Sequence, residues 1–108
     1  MNPAELGQLM EKAREMQTRL AELQRELAIR RFEASAGGGM VTAVVTGALR
    51  VLEVRIEASL VEGGDREMIQ DLTAAAVNAA LSSAQSTVQQ ELQQASAGLA
   101  LPGDFGSG

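Results

Sequence analysis

Six basic side chains, Lys12, Arg14, Arg19, Arg25, Arg30 and Arg31, stand in residues 1–31 against five acidic ones. Residues 32–62 carry two basic against four acidic groups, and residues 63–108 one against five. Clustered Lys and Arg neutralise anions, phosphate above all, so any attraction for a polyanion in this chain of net charge −5 must sit near its first segment. Other chemistry is largely excluded. The chain contains neither Cys nor His, which removes thiolate nucleophiles, imidazole bases, disulfides and the usual zinc or copper ligand sets. No carboxylate pair falls in a recognisable acid–base motif. Gly37, Gly38 and Gly39 lack the GK[ST] ending and the following helix of a phosphate loop, and read as a turn between strands. No catalytic residue, metal ligand or cofactor is expected, and Asn78, set in an alanine run, reads as a helix–helix hydrogen-bonding residue.

The elements that must carry these residues are legible from periodicity and caps. Asn2, Pro3 and Glu5 form a helix start, with Asn2 placed to accept from an orphan amide and Pro3 suited to the first helical position. Leu6, Leu9, Ala13, Met16, Leu20, Leu23 and Leu27 then recur at alternating spacings of three and four, an apolar stripe sustained over three heptads. On a helical wheel Lys12, Arg19 and Arg30 fall along one flank of that stripe and Arg14 and Arg25 along the other, with Glu11, Glu15 and Glu22 between them. Pairs such as Glu15 with Arg19 have the i, i+4 spacing of helical ion pairs.

Residues 29–58 concentrate β-branched side chains, punctuated by Gly37, Gly38, Gly39 and Gly47, and predict three short strands in an antiparallel meander. In the third, Leu52, Val54 and Ile56 alternate with Val51, Glu53, Arg55 and Glu57, which predicts one buried and one wet face. Asp65 is placed to cap a second helix over residues 66–95, whose apolar positions include Ile69, Leu72, Ala76, Val77, Ala80, Leu81, Ala84, Val88 and Leu92. The expected architecture is α+β, one domain over residues 1–97 in the order long helix, meander, long helix, followed by a flexible tail at 98–108. The segment at the N-terminus lacks the pattern of an export signal, and no stretch approaches the roughly 18 apolar residues of a membrane span, so a cytoplasmic protein is expected.

A first helix of about 25 residues would reach roughly 37 Å, against about 20 Å for a strand of six residues, so it must overhang its own sheet. Two arrangements would cover the overhanging stripe: the two helices pairing along their full length within one chain, or association with a second copy. The polar run LSSAQSTVQQELQQ in the second helix disfavours the first.

Four stretches, LMEKAREMQ at residues 9–17, AGGGMV at 36–41, the segment from SLVEG to DLTAAAVNAA at 59–80, and GLALPG at 98–103, together resemble the YbaB/EbfC family of bacterial nucleoid-associated proteins. The resemblance implies an intertwined, tweezers-like homodimer joined through sheets and helices, and binding of double-stranded DNA with little sequence preference. Where a dimer aligns the basic flanks of two first helices into a shared groove, Lys12, Arg14, Arg19 and Arg25 are the residues expected to face DNA, with Arg30 and Arg31 at the helix-to-strand junction as second choices. The apolar positions expected at the interface of such a dimer include Leu6, Leu9, Met16, Leu20, Leu23, Val54 and Ala76. Thr42 stands where the family pattern places a lysine, and Glu57 and Ala58 replace its Asp-Pro, a change expected to free the chain after the third strand. The acidic balance leaves a second reading open, an acidic dimer that engages another protein. A membrane-surface role is disfavoured by the carboxylates at the centre of the polar faces.

Overall fold

The chain begins with the capped helix that its first residues dictate. In the computed structural model, which describes residues 1–98, α1 spans Pro3–Ile29. The Asn2 side chain accepts a hydrogen bond of 2.7 Å from the Glu5 amide, and Pro3 opens the first turn. Three strands follow, β1 (Arg31–Ala36), β2 (Val41–Thr46) and β3 (Val51–Ile56), in an antiparallel sheet of order β1-β2-β3. Gly37, Gly38 and Gly39 all have positive φ in the β1–β2 turn, and β2 starts two residues later, so this is the turn the sequence predicts. A short helix, α2 (Ala58–Gly63), precedes α3 (Arg66–Gly98), whose first turn is capped by the Asp65 carboxylate accepting from the Met68 amide at 3.0 Å.

Two features depart from the sequence reading. The chain after β3 is not freed by the absence of proline: the Glu57 amide donates to the Met40 carbonyl at 2.9 Å, α2 follows at once, and its Leu60 is buried in the core. The alternation of β3 is broken by a shift between Val44 and Val45, which pairs Val44 with Glu53 but Val45 with Val51 and leaves Leu52 in a bulge. Val51 therefore joins Val54 and Ile56 on one face, where the plain alternation predicts Leu52. The predicted tail lies outside the described residues apart from Gly98, which ends α3.

The core lies between α3 and one face of the sheet. Val41, Ala43 and Val45 of β2 meet Ala76, Ala80 and Ala84 of α3, with Leu60 beside them and Phe32, Ala34 and Leu72 packed at the margin. All three alanines have no exposed surface and stand four residues apart, so a stripe of methyl groups lets the helix backbone lie close on the strand. The predicted apolar face of α3 is buried or half-buried along its length, whereas Asn78 is exposed. α3 covers β1 and β2 and barely reaches β3. Consequently all six residues of β3 are exposed, and the buried face expected of it is absent from the single chain.

The end of α1 is joined to this core by backbone contacts. The Gly47 amide donates to the Arg30 carbonyl at 3.1 Å and the Ala48 amide to the Ala28 carbonyl at 3.2 Å, tying the β2–β3 turn to the end of the helix. Gly47 lies so close that a Cβ there would stand 1.9 Å from the Leu27 carbonyl oxygen. From this seat α1 extends outward: residues 1–15 are exposed throughout, so the two long helices do not pair along their full length. The radius of gyration of 21.2 Å compares with about 13 Å for a compact chain of this size.

Candidate nucleic-acid interface

The predicted cations divide into two groups with different surroundings. Lys12, Arg14, Arg19 and Arg25 lie exposed on α1, and among the described residues none has a carboxylate within ion-pair distance. The predicted pair of Glu15 with Arg19 is thus not formed. Instead, Glu11, Arg14, Glu15, Thr18, Arg19 and Glu22 line a shallow open groove along the helix, with Arg14 and Arg19 on opposite sides of the acidic row, as a rotation of 100° per residue requires. The Thr18 hydroxyl is turned inward to the Arg14 carbonyl at 3.0 Å.

Arg30 and Arg31, at the junction of helix and sheet, are engaged within the chain. The Arg30 guanidinium holds both carboxylate oxygens of Glu91 on α3, and this hydrogen bond raises its pKa above the ordinary arginine value. It acts as a clasp between α1 and α3. Arg31 faces Glu53 at 3.8 Å. The sequence reading missed both partnerships because they join residues far apart in the chain.

A further charged surface emerges on the sheet face turned away from α3. Register places Arg31, Glu33 and Ser35 of β1, Thr42, Val44 and Thr46 of β2, and Glu53 and Arg55 of β3 on this side. Arg55 pairs with Glu33 and, at 3.4 Å, with Glu53, which also meets Arg31. Two cations and two carboxylates thus alternate across the sheet with no net charge, and Val44 between them is almost completely buried.

The residues predicted for association are similarly split. Leu6 and Leu9 are about half exposed, at 49% and 51%, with Met10 at 55% beside them. Met16, Leu20 and Leu23 are half-buried nearer the core. Val54 is exposed in a row with Val51 and Ile56, and the bulged Leu52 is exposed as well. Ala76 is a correction: it lies wholly inside the core of its own chain and offers no surface to a partner.

A three-stranded sheet bracketed by two long helices, the first flanked by cations and projecting from the core, defines a small α+β protein. Comparison with known proteins agrees. The sequence profile of the YbaB/EbfC DNA-binding family matches residues 1–99, and the chain belongs to that family. A nucleoid-associated protein of Syntrophobacter fumaroxidans is 44% identical over 94 residues, covering 87% of this chain and 86% of that one. One of Acetivibrio thermocellus is 42% identical over 101 residues, covering 93% and 89%. The crystal structure of the uncharacterized Helicobacter pylori protein HP0035 shares the fold, with a TM-score of 0.58 at 22% identity over 72% of this chain and 90% of that chain.

Proposed function

We propose that this chain is a non-catalytic, nucleoid-associated protein of the bacterial cytoplasm that binds double-stranded DNA as a homodimer, with little preference for sequence, through phosphate contacts from α1. The observation that carries the reading is the set of four exposed cations, Lys12, Arg14, Arg19 and Arg25, without an ion-pair partner among the described residues, on a helix that projects beyond the core. Flexible cations at a helix surface reach phosphate oxygens, which position a protein on DNA without reading sequence. The first turns of α3 carry Asp65, Glu67 and Asp71 against Arg66, so that helix start repels phosphate and does not serve as a recognition helix.

A second copy is the occupant that best fits the uncovered apolar surface. The stripe at Leu6, Leu9 and Met10 and the row at Val51, Val54 and Ile56 are left exposed among the described residues, and a two-fold partner covers both with the same residues. Covering the α1 stripe leaves Lys12 and Arg19 on one flank and Arg14 and Arg25 on the other, lining the rim of the pair.

Fluorescence anisotropy with a random duplex tests this reading. Binding is expected near 50 mM salt and falls steeply by 200 mM as counterions are released. The variant R14E/R19E/R25E is expected to lose affinity equally for unrelated duplexes and to show a shallower salt dependence. Absence of binding by the unaltered protein near 50 mM salt would contradict it.

A further inference from the structure

We propose that the outer face of the sheet is a second phosphate-binding surface, held neutral by this chain's own carboxylates, so that Glu33 and Glu53 set how strongly the protein grips DNA. The inference rests on the DNA-binding reading above and adds a site to it. Its starting point is a row in register across the three strands, Ser35 opposite Thr42 opposite Arg55. Cross-strand partners share a face, so two hydroxyls and a guanidinium stand side by side at strand spacings of roughly 4.8 Å. Hydroxyl and guanidinium are the groups that hold phosphate oxygens, and a guanidinium does so with two parallel hydrogen bonds. Arg31 extends the cationic character at the other end of the same face.

What keeps this row from acting is the alternation of charge. Glu53 sits between the arginines, 3.4 Å from Arg55 and 3.8 Å from Arg31, and Glu33 holds Arg55 from the other side. The four side chains are between 42% and 63% exposed, so solvent and any approaching polyanion reach them. Exposed pairs of this kind add little to stability. Their effect is on the field instead: an incoming phosphate meets two carboxylates for two guanidinium groups, and even after it displaces a pair the released carboxylate stays within a Debye length and repels it. The α1 cations meet no such competitor within ion-pair distance among the described residues.

The test compares the full-length variant E33Q/E53Q with E62Q/E67Q, which removes the same charge from exposed positions away from this face. Binding to a random duplex is followed by anisotropy across salt concentration, and folding by circular dichroism. E33Q/E53Q is expected to bind on the order of tenfold more tightly at low salt, with a log–log salt slope steeper by about 1.8 per chain, for two added phosphate contacts. E62Q/E67Q changes the affinity only slightly and leaves the slope unaltered. The single variant E53Q, which perturbs the sheet less, gives about half the steepening. Adding R31A and R55A to E33Q/E53Q returns binding to the level of the unaltered protein. If E33Q/E53Q merely tracks E62Q/E67Q while R14E/R19E/R25E loses binding, the sheet inference is overturned and the role of α1 stands. If E33Q/E53Q binds and the unaltered protein does not, the sheet inference is upheld and the role of α1 falls. Absence of binding by every variant overturns both.

Discussion

The two long helices use apolar residues in opposite ways. α3 presents Ala76, Ala80 and Ala84 to the sheet and buries them completely, whereas α1 presents Leu6, Leu9 and Met10 to solvent and buries only its end around Leu27. Small residues serve where a helix backbone must lie close on a strand. The large ones of α1 are left uncovered among the described residues and form an exposed apolar patch. On the proposed reading the overhanging part of α1 carries both the stripe that meets a second copy and, on its flanks, cations with no ion-pair partner among the described residues.

The largest expected effect breaks this contrast at the stripe. L6K/L9K is expected to leave each chain folded but to weaken the proposed dimer by about 4 kcal/mol, about 1 kcal/mol for each of the half-exposed leucines in a pair. Analytical ultracentrifugation registers this as a shift to monomer at micromolar concentration, with the helical circular dichroism signal of the core retained. Gly47→Ala strikes the seat of the helix instead. With no room for a Cβ against the Leu27 carbonyl, it is expected to destabilise the fold by about 3 kcal/mol, read in urea unfolding. Ala80→Leu tests the small-residue side, forcing a large side chain between α3 and β2 at a cost of about 2 kcal/mol in the same assay. Asn2→Ala, which removes the cap of α1, costs about 1 kcal/mol and frays only the outer turns, measurable as faster amide exchange there.

Much of this contrast is written locally. The caps at Asn2 and Asp65 and the heptad spacing from Leu6 to Leu27 each depend on residues a few positions apart, so the helix starts and the stripe are readable in sequence and recur in the structure. What was not readable depends on partners that folding brings together. The bulge at Leu52 reverses the expected face of Val51 because register is set across strands. The six-residue helix α2 is too short to show a period, and only the burial of Leu60 marks its purpose. At the candidate site, composition indicates where cations concentrate but not which are free. Arg30 and Arg31 look like Arg14 and Arg19 in sequence and differ only because Glu91 and Glu53 lie opposite them in the fold. Ala76 shows the converse, an apolar residue assigned to an interface that its own sheet already occupies.

Sedimentation equilibrium of the full chain, alone and with a short random duplex at 50 mM salt, decides whether it is a dimer that binds DNA. A species of twice the chain mass is predicted without DNA, together with a protein–DNA complex that dissociates as the salt is raised to 200 mM. A stable monomer, or a dimer that leaves the duplex free at 50 mM salt, would rule out a DNA-binding homodimer.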